Sequence, residues 1–280
     1  MKKLTINSTI MLNNRVEMPL LGFGAAEIAP WTSQQEKIVR YAIDAGYRLL
    51  DTAIAYQTEH GVGEAVRNSG IPREEFFITT KVPSAAVRRG SKEIVRCFEQ
   101  SLRNLRTDYV DLYLIHWPPQ GKTAEGWKIL EQLYYTGRVR AIGMSNLNRR
   151  HWLDIMANCE VMPHVQQDEF HPLRMNEYNR IFCERYGIHF EAFLPVMRGL
   201  LRENSVLKEL AEKHGKNTFQ IILRWDLQHG VTAIPRSSNQ EHIISNADLF
   251  DFELSEEDMA RIDALNIEAI MNRDMDNFNF

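Results

Sequence analysis

Short apolar runs alternate along this chain with longer stretches in which apolar residues recur every three to four positions. The short runs are "LLGFG" (20–24), "YRLLD" (47–51), "FFITT" (76–80), "DLYLIH" (111–116), "RAIGMS" (140–145), "HVQQDEF" (164–170), "IHFEAF" (188–193) and "TAIP" (232–235). Their length predicts strands. The longer stretches predict helices over 33–45, 59–68, 89–105, 124–136, 149–157, 175–186, 205–228 (broken near Gly215) and 239–249. Eight alternations of strand and helix predict the α/β class and, within it, a closed (β/α)8 barrel, which takes about 250 residues as one unit. The expectation is therefore a single domain over residues 1–280. Before the barrel, "LTINSTIMLNNRVEMP" predicts a β-hairpin turning at Asn13-Asn14. After it, "LSEEDMARI" predicts an extra C-terminal helix in which Ser255 and Asp258 form a capping box. A doubly wound open sheet has the same segmentation but lacks support, because no strand-to-helix G-x-G-x-x-G is present. "GFG" at 22–24 and "GVG" at 61–63 are too short for it and read as sites of close backbone packing.

Composition changes this picture little. The chain is 44% apolar and 25% charged, with a net charge of −4, so neither nucleic acid nor an anionic membrane is an expected partner. "MKKLTINSTIML" has no apolar stretch behind its lysines, and no segment approaches the ~20 apolar residues of a membrane span. Cys97, Cys159 and Cys183 show no C-x-x-C spacing, which disfavours disulfides and structural zinc and fits a reducing cytoplasm.

The candidate chemistry lies at the carboxyl ends of the strands, which gather around one mouth in such a barrel. Asp51 ends the second strand, Lys81 follows the third and His116 ends the fourth. Ser145 and Asn146 close the fifth, Gln167 and Glu169 lie in the sixth, Phe193 ends the seventh, and "PRSSN" follows the eighth. Each polar residue alone has an ordinary reading as a cap, a surface lysine or a satisfied core histidine. Together, with Tyr56 on the loop above, they pair Asp51 with Lys81 beneath a phenol. Tyrosine has a reference pKa of ~10, and a cation ~4 Å away at an effective dielectric of ~20 is worth about 4 kcal/mol, roughly 3 pKa units. Asp51 offsets part of this. The expectation is a tyrosine with a lowered pKa that exchanges a proton near neutrality, beside a histidine that orients a carbonyl oxygen.

"GYRLLDTAIAY", "FFITTKV", "DLYLIHWP", "AIGMSN", "QQDEFHP" and "IPRSSN" resemble, in order and spacing, the signature segments of the aldo-keto reductase superfamily. The similarity runs from "VEMPLLGFG" to "FDFELSEEDMARIDALN" and is greatest to bacterial members that reduce diketo-gluconate, methylglyoxal and other small carbonyls. The resemblance implies a catalytic tetrad of Asp51, Tyr56, Lys81 and His116, with hydride delivered from a reduced nicotinamide and a proton from the tyrosine. It also implies that Ser145, Asn146 and Gln167 hold the carboxamide and that Phe193 stacks on the nicotinamide. The pyrophosphate would lie under "LPVMRG", the loop carrying Arg198, and Asn246 would take the adenine. Trp117 would line the substrate pocket. At the 2′-phosphate site, Arg236 stands for the usual Lys and His242 for the usual Arg, with Ser237 and Asn239 beside them.

Two departures bear on specificity. Gly24-Ala25-Ala26 replaces the usual G-T-W, so a hydroxyl near the cofactor is lost and Ala26 leaves the pocket wall without its indole. Thr58 replaces the usual Asn two residues after the tyrosine. The function expected is an NADPH-dependent reductase of small aldehydes, ketoaldehydes or keto-sugars, weaker with NADH and a monomer by family precedent. The alternative is a cofactor-binding regulatory or structural subunit on the same barrel. Metal-dependent hydrolysis has no H-x-H or H-E-x-x-H behind it.

Overall fold

The computed structural model describes residues 3–28 and 34–272. Strands β1 (Thr9–Met11) and β2 (Glu17–Pro19) pair antiparallel as the opening hairpin. Eight further strands then form one parallel sheet in chain order: β3 (Gly22–Gly24), β4 (Leu49–Asp51), β5 (Phe77–Val82), β6 (Val110–Ile115), β7 (Val139–Ser145), β8 (Val165–Glu169), β9 (His189–Phe193) and β10 (Thr232–Ala233). A parallel bridge from Leu21 to Ala233 joins the two ends, with the Gly24 N–H donating to the Pro235 carbonyl at 3.0 Å. The sheet closes into the expected barrel.

The helices are α1 (Gln34–Asp44), α2 (Glu59–Arg67), α3 (Ser84–Arg89), α4 (Ser91–Leu105), α5 (Thr123–Tyr135), α6 (Arg149–Asn158), α7 (Glu177–Tyr186), α8 (Ser205–His214), α9 (Thr218–Gln228), α10 (Gln240–Ala247) and α11 (Glu256–Asp263). The two-residue period of each strand sorts its side chains. Leu49, Phe77, Leu112, Leu114, Ala141, Val165 and Ile234 point inward as one cluster, which Leu12 and Met18 of the hairpin region complete. Leu50, Ile78, Tyr113, Ile142, Met144 and Phe190 belong to the larger cluster shared with the helices. Continuing the inward parity along each strand leads to Asp51, Lys81, His116, Ser145, Gln167 and Glu191. The pattern that builds the core thus also selects which side chains reach the barrel mouth.

Several boundaries differ from expectation for identifiable reasons. The left-handed residue of the hairpin turn is Arg15 (φ 68°), not an asparagine. Asn13 and Asn14 instead donate to the Pro163 and Arg140 carbonyls at 3.1 and 2.9 Å, tying the hairpin to the strands. The helix expected over 89–105 is two, α3 and α4, because Gly90 between them adopts φ 91°. The break near Gly215 is present (φ 64°), and a capping box between Asn217 and Gln220 starts α9. The capping box of Ser255 and Asp258 starts α11 as expected. The first residue of the expected helix over 33–45 and the tail after residue 272 lie outside the described residues. No helix among the described residues is long and apolar enough to cross a membrane.

Both glycine pairs mark close packing. A Cβ on Gly63 of α2 would sit 2.6 Å from the Leu105 carbonyl oxygen, with two further backbone atoms of Leu105 within 2.8 Å. Alanine in a helix is favoured over glycine by about 1 kcal/mol, but overpacking against immovable backbone costs about 1–3 kcal/mol. Gly63→Ala is therefore expected to destabilise the protein by about 1–2 kcal/mol, measured as a lowered urea midpoint. An unchanged or raised midpoint would show that α2 and α4 are free to separate.

Candidate active site

Asp51 and Lys81 are brought together by adjacent strands: both end inward-facing rows, on β4 and β5. The Lys81 Nζ donates to Asp51 Oδ1 at 2.6 Å, Asp51 Oδ2 at 2.7 Å and the Thr52 carbonyl at 3.0 Å, which satisfies an ammonium's three protons. The ammonium side chain is fully buried and the carboxylate almost so. Burial alone would lower the Lys81 pKa, but the Asp51 charge and hydrogen bonds outweigh it and raise it. The pair is a fixed zwitterion.

Tyr56 stands above it on a short 3₁₀ turn (Ile54–Tyr56) that leaves β4 and stops at Gln57 in the left-handed region (φ 59°). The Lys81 Nζ lies 5.1 Å from the centre of the phenol ring. The Tyr56 hydroxyl meets His116 Nε2 at 3.1 Å, with the two rings edge to face. Here the structure corrects an expectation: the Tyr56 pKa is raised, not lowered. Burial is the largest cause, and Lys81 pulls against it while Asp51 and, more weakly, Glu27 add to it. Lys81 limits the rise without reversing it. His116 is driven by burial, and then by Lys81, down to about 3, so its imidazole is neutral throughout the physiological range. Trp117 follows it, half-buried, beyond β6.

Beside this cluster, Gln167 on β8 commits its Nε2 group to two acceptors, Asp51 Oδ2 and Glu191 Oε2, both at 2.8 Å. Its amide oxygen takes no hydrogen bond from the described residues and is the atom left for a ligand. Asn146 follows β7 in the left-handed region (φ 62°), and its Nδ2 donates to the His116 carbonyl and to Ser145 Oγ, both at 2.9 Å. Its Oδ1 accepts from Asn272 at 3.3 Å. Glu169, buried at the end of β8, receives the backbone N–H groups of Met271 and Asn272 at 2.7 and 3.0 Å, straps the C-terminal segment to the mouth, and pairs with His171.

The loop after β9 is strained. Within six residues, Leu194, Met197 and Arg198 all have positive φ (54°, 48° and 52°), a conformation costly for side chains of this size. Phe193, half-buried, begins that loop, and Arg198 is exposed. At its far side an open cavity of about 840 Å³ lies between α8, α9 and α10, lined by Arg202, Lys208, Phe219, His242, Ser245 and Asn246. The Arg202 guanidinium lies 5.4 Å above the Phe219 ring, making a flat wall. Asn246 is buried and His242 exposed. Asn239 caps α10, its Oδ1 accepting from the backbone of Glu241 and His242, and Ser237 Oγ accepts the Asn239 N–H. Arg236 is not a free fork: its Nη1 donates to Glu27 Oε2 at 2.6 Å.

The structure thus gathers Asp51, Tyr56, Lys81, His116, Ser145, Asn146 and Gln167 at one mouth. It places Asn246 and His242 together at the cavity, with Arg236 outside it. Ala26, half-buried, follows β3 with no large side chain at that point of the rim. Two carboxylates, Glu191 and Glu27, were missed from the sequence. Inward parity marks Glu191, two residues before Phe193, whereas Glu169 is placed by its position in the sixth strand without a role. Nothing in the letters pairs Glu27 with Arg236 across 209 residues.

Removing the ammonium leaves Asp51 buried without its counter-charge, which costs about 3–5 kcal/mol for a broken buried pair. Lys81→Met should lower the unfolding free energy by that order, and Asp51→Asn added to it should restore a large part. A Lys81→Met protein as stable as wild type in urea would mean that the pair contributes nothing net.

A model of the aldo/keto reductase family matches residues 20–267. Over 262 residues the chain is 47% identical to glyoxal reductase of Bacillus subtilis, covering 94% of each protein. Its structure is similar to that of MGS-M4, an aldo-keto reductase from a deep-sea metagenome library of the Medee basin (TM-score 0.93, 37% identity, 98% of this chain and 100% of that one). It is similar also to a variant of Gox0644 in complex with NADPH (TM-score 0.91, 34% identity, 98% and 99% covered).

Proposed function

The chain belongs to the aldo/keto reductase family, and we propose that it reduces small aldehydes, ketoaldehydes or keto-sugars with NADPH, using Tyr56 as the proton donor. The observation that carries the reading is the contact of the Tyr56 hydroxyl with a neutral His116 above the buried Lys81–Asp51 pair. A neutral imidazole protonated on Nε2 donates to a carbonyl oxygen placed between it and the phenol. The phenol, protonated at neutral pH as any tyrosine is and the more firmly for its raised pKa, donates to the same oxygen. As negative charge grows on that oxygen, the nearby ammonium stabilises it and the phenolate that remains. The bound reduced nicotinamide supplies the hydride equivalent to the carbonyl carbon.

The residues present suit such a cofactor. The free amide oxygen of Gln167 suits the NH2 of a carboxamide, and Ser145 and Asn146 stand beside it. The Phe193 ring begins the strained loop to which the pyrophosphate is assigned, near Arg198. The flat-walled cavity with Asn246 and His242 is of a size for an adenosine. Ser237 and Asn239 open α10, whose N-terminus favours a phosphate. For the substrate, the likeness to glyoxal reductase favours compact dicarbonyls, with diketo-gluconate a larger member of the class. Ala26 leaves the rim open, and Trp117 supplies a wall.

Two predictions follow from these assignments. NADPH consumption with a panel of glyoxal, methylglyoxal and diketo-gluconate tests the reaction. Tyr56→Phe should lower kcat by about 10²–10⁴, the scale of one general acid, with cofactor affinity within a few-fold of wild type. Retention of more than a tenth of the rate would remove Tyr56 from the role. The second concerns cofactor choice. Arg236 must exchange or share Glu27 to meet a 2′-phosphate, and exposed ion pairs are worth about 0.2–1 kcal/mol, up to roughly fivefold in affinity. Glu27→Gln should therefore tighten NADPH up to roughly fivefold and leave NADH unmoved. His242 stands where the family resemblance implies a permanent, forked cation at the 2′-phosphate. His242→Arg should therefore raise the NADPH-to-NADH ratio of kcat/KM. If neither variant changes it, Arg236 reads the phosphate without help or hindrance.

A further inference from the structure

Glu191 is a buried carboxyl group with no part in the reaction just described. It lies on the inward face of β9, wholly enclosed, one turn of the parity below Phe193. Its Oε2 accepts from Gln167 Nε2 at 2.8 Å, and that same nitrogen donates to Asp51 Oδ2. Its Oε1 has no hydrogen-bond partner among the described residues. The charged groups that face it are Asp51 from β4 and Lys81 from β5. On its own strand, His189 bonds Thr232 Oγ1 at 2.8 Å and is held neutral by burial, which lowers its pKa to about 4. Among the described residues Lys81 is the sole cation in this cluster, and both Asp51 oxygens already occupy it. A second carboxylate here would be a buried, unpaired charge, which costs several kcal/mol. The cheaper state holds a proton.

We propose that Glu191 is a positioning residue: as a neutral acid it fixes the Gln167 amide, and through it Asp51, and its ionisation in alkali disables the site. Burial first, then the Asp51 charge, raise its pKa to about 8, in agreement with the geometry. Loss of that proton would place two negative charges on one cation and draw on the Gln167 amide from both sides. The added charge would also make Tyr56 a weaker acid. Turnover should then fall above pH 8 for a reason that lies below the tetrad. The kinetic part rests on the reductase reading; the state of the carboxyl group does not.

The test compares wild type, Glu191→Gln and Glu191→Ala. In wild type the alkaline limb of kcat should fall near pH 8, and in Glu191→Gln, which keeps a neutral acceptor, it should move up by at least one pH unit. Glu191→Ala should weaken NADPH binding several-fold by freeing Gln167, and Glu191→Gln should restore it. Without turnover, buried Asp226 should give a protonated-carboxyl infrared band in both proteins, and the free wild-type enzyme should show a further component at pH 6.5 that is lost by pH 9.5 and is missing from Glu191→Gln. The sign for stability follows: a folded-state pKa above the unfolded value gives stability that is complete below the unfolded value of about 4.5 and is lost as pH rises through about 8. The urea midpoint of Glu191→Gln should therefore gain on wild type across that window. An identical alkaline limb in the two proteins, or identical carboxyl bands at pH 6.5 in the two, overturns the proposal. If Glu191→Gln does not fold, the infrared difference between wild type and Glu191→Ala decides in its place.

Discussion

The buried contact between Lys81 and Asp51 is the constraint on which the mouth of the barrel depends. An isolated ion inside a protein is prohibitively costly, and a pair is tolerable only when its geometry and remaining hydrogen bonds are nearly complete. Here completeness comes from backbone topology. Adjacent parallel strands deliver the two side chains at neighbouring inward positions, and the Thr52 carbonyl takes the last ammonium proton. Tyr56 can then be anchored only five residues beyond β4, over a charge that does not move. Gln167 closes the arrangement from the opposite wall of the barrel.

One cation for two carboxyl groups and a phenol makes the site an exercise in where protons are kept. Burial works in opposite directions on the two kinds of group: it keeps His116 and His189 neutral by lowering their pKa, and Tyr56 and Glu191 neutral by raising theirs. The result is a cluster with one permanent ion pair and otherwise uncharged donors and acceptors. Such a cluster changes little when a neutral carbonyl enters. In the proposed reaction, stabilisation appears when charge develops on its oxygen, which is where catalysis requires it.

Much of this was legible in the sequence. The eight alternations, the inward parity of the strands and the gathering of polar residues at strand ends all follow from period and position, and the structure places Asp51, Lys81, His116 and Gln167 where that logic leads. The breaks at Gly90 and within the hairpin were less legible, because a glycine or asparagine marks a permissive position without saying whether it is used. The Tyr56 pKa was misjudged in sign for a physical reason. Coulomb's law for one cation can be applied to letters, whereas desolvation depends on how completely a ring is enclosed. Glu27 and Arg236, 209 residues apart, meet only because the barrel closes between its first and last strands.

The two ends of the site are held by interactions of different kinds, and this separates chemistry from cofactor choice. At the tetrad, the pair is enclosed, poorly screened by salt and coupled through Gln167 to a second carboxyl group, so a change in one member reaches the others. At the end proposed for the 2′-phosphate, Arg236 and Glu27 are both substantially exposed (41% and 64% for their side chains), where an ion pair is worth little and salt screens it further. A substitution there shifts affinity by small factors without disturbing Lys81 or Asp51. The strained segment at Leu194, Met197 and Arg198 lies between these regimes in the chain, after the rigid β9 and before the open cavity. It is the part of the mouth best able to rearrange around a phosphate chain, because relief of an unfavourable φ can offset part of the cost of ordering a ligand. The barrel thus fixes the Lys81–Asp51 cluster by burial, and in the proposed reading it leaves the handle of the cofactor to groups that water already reaches.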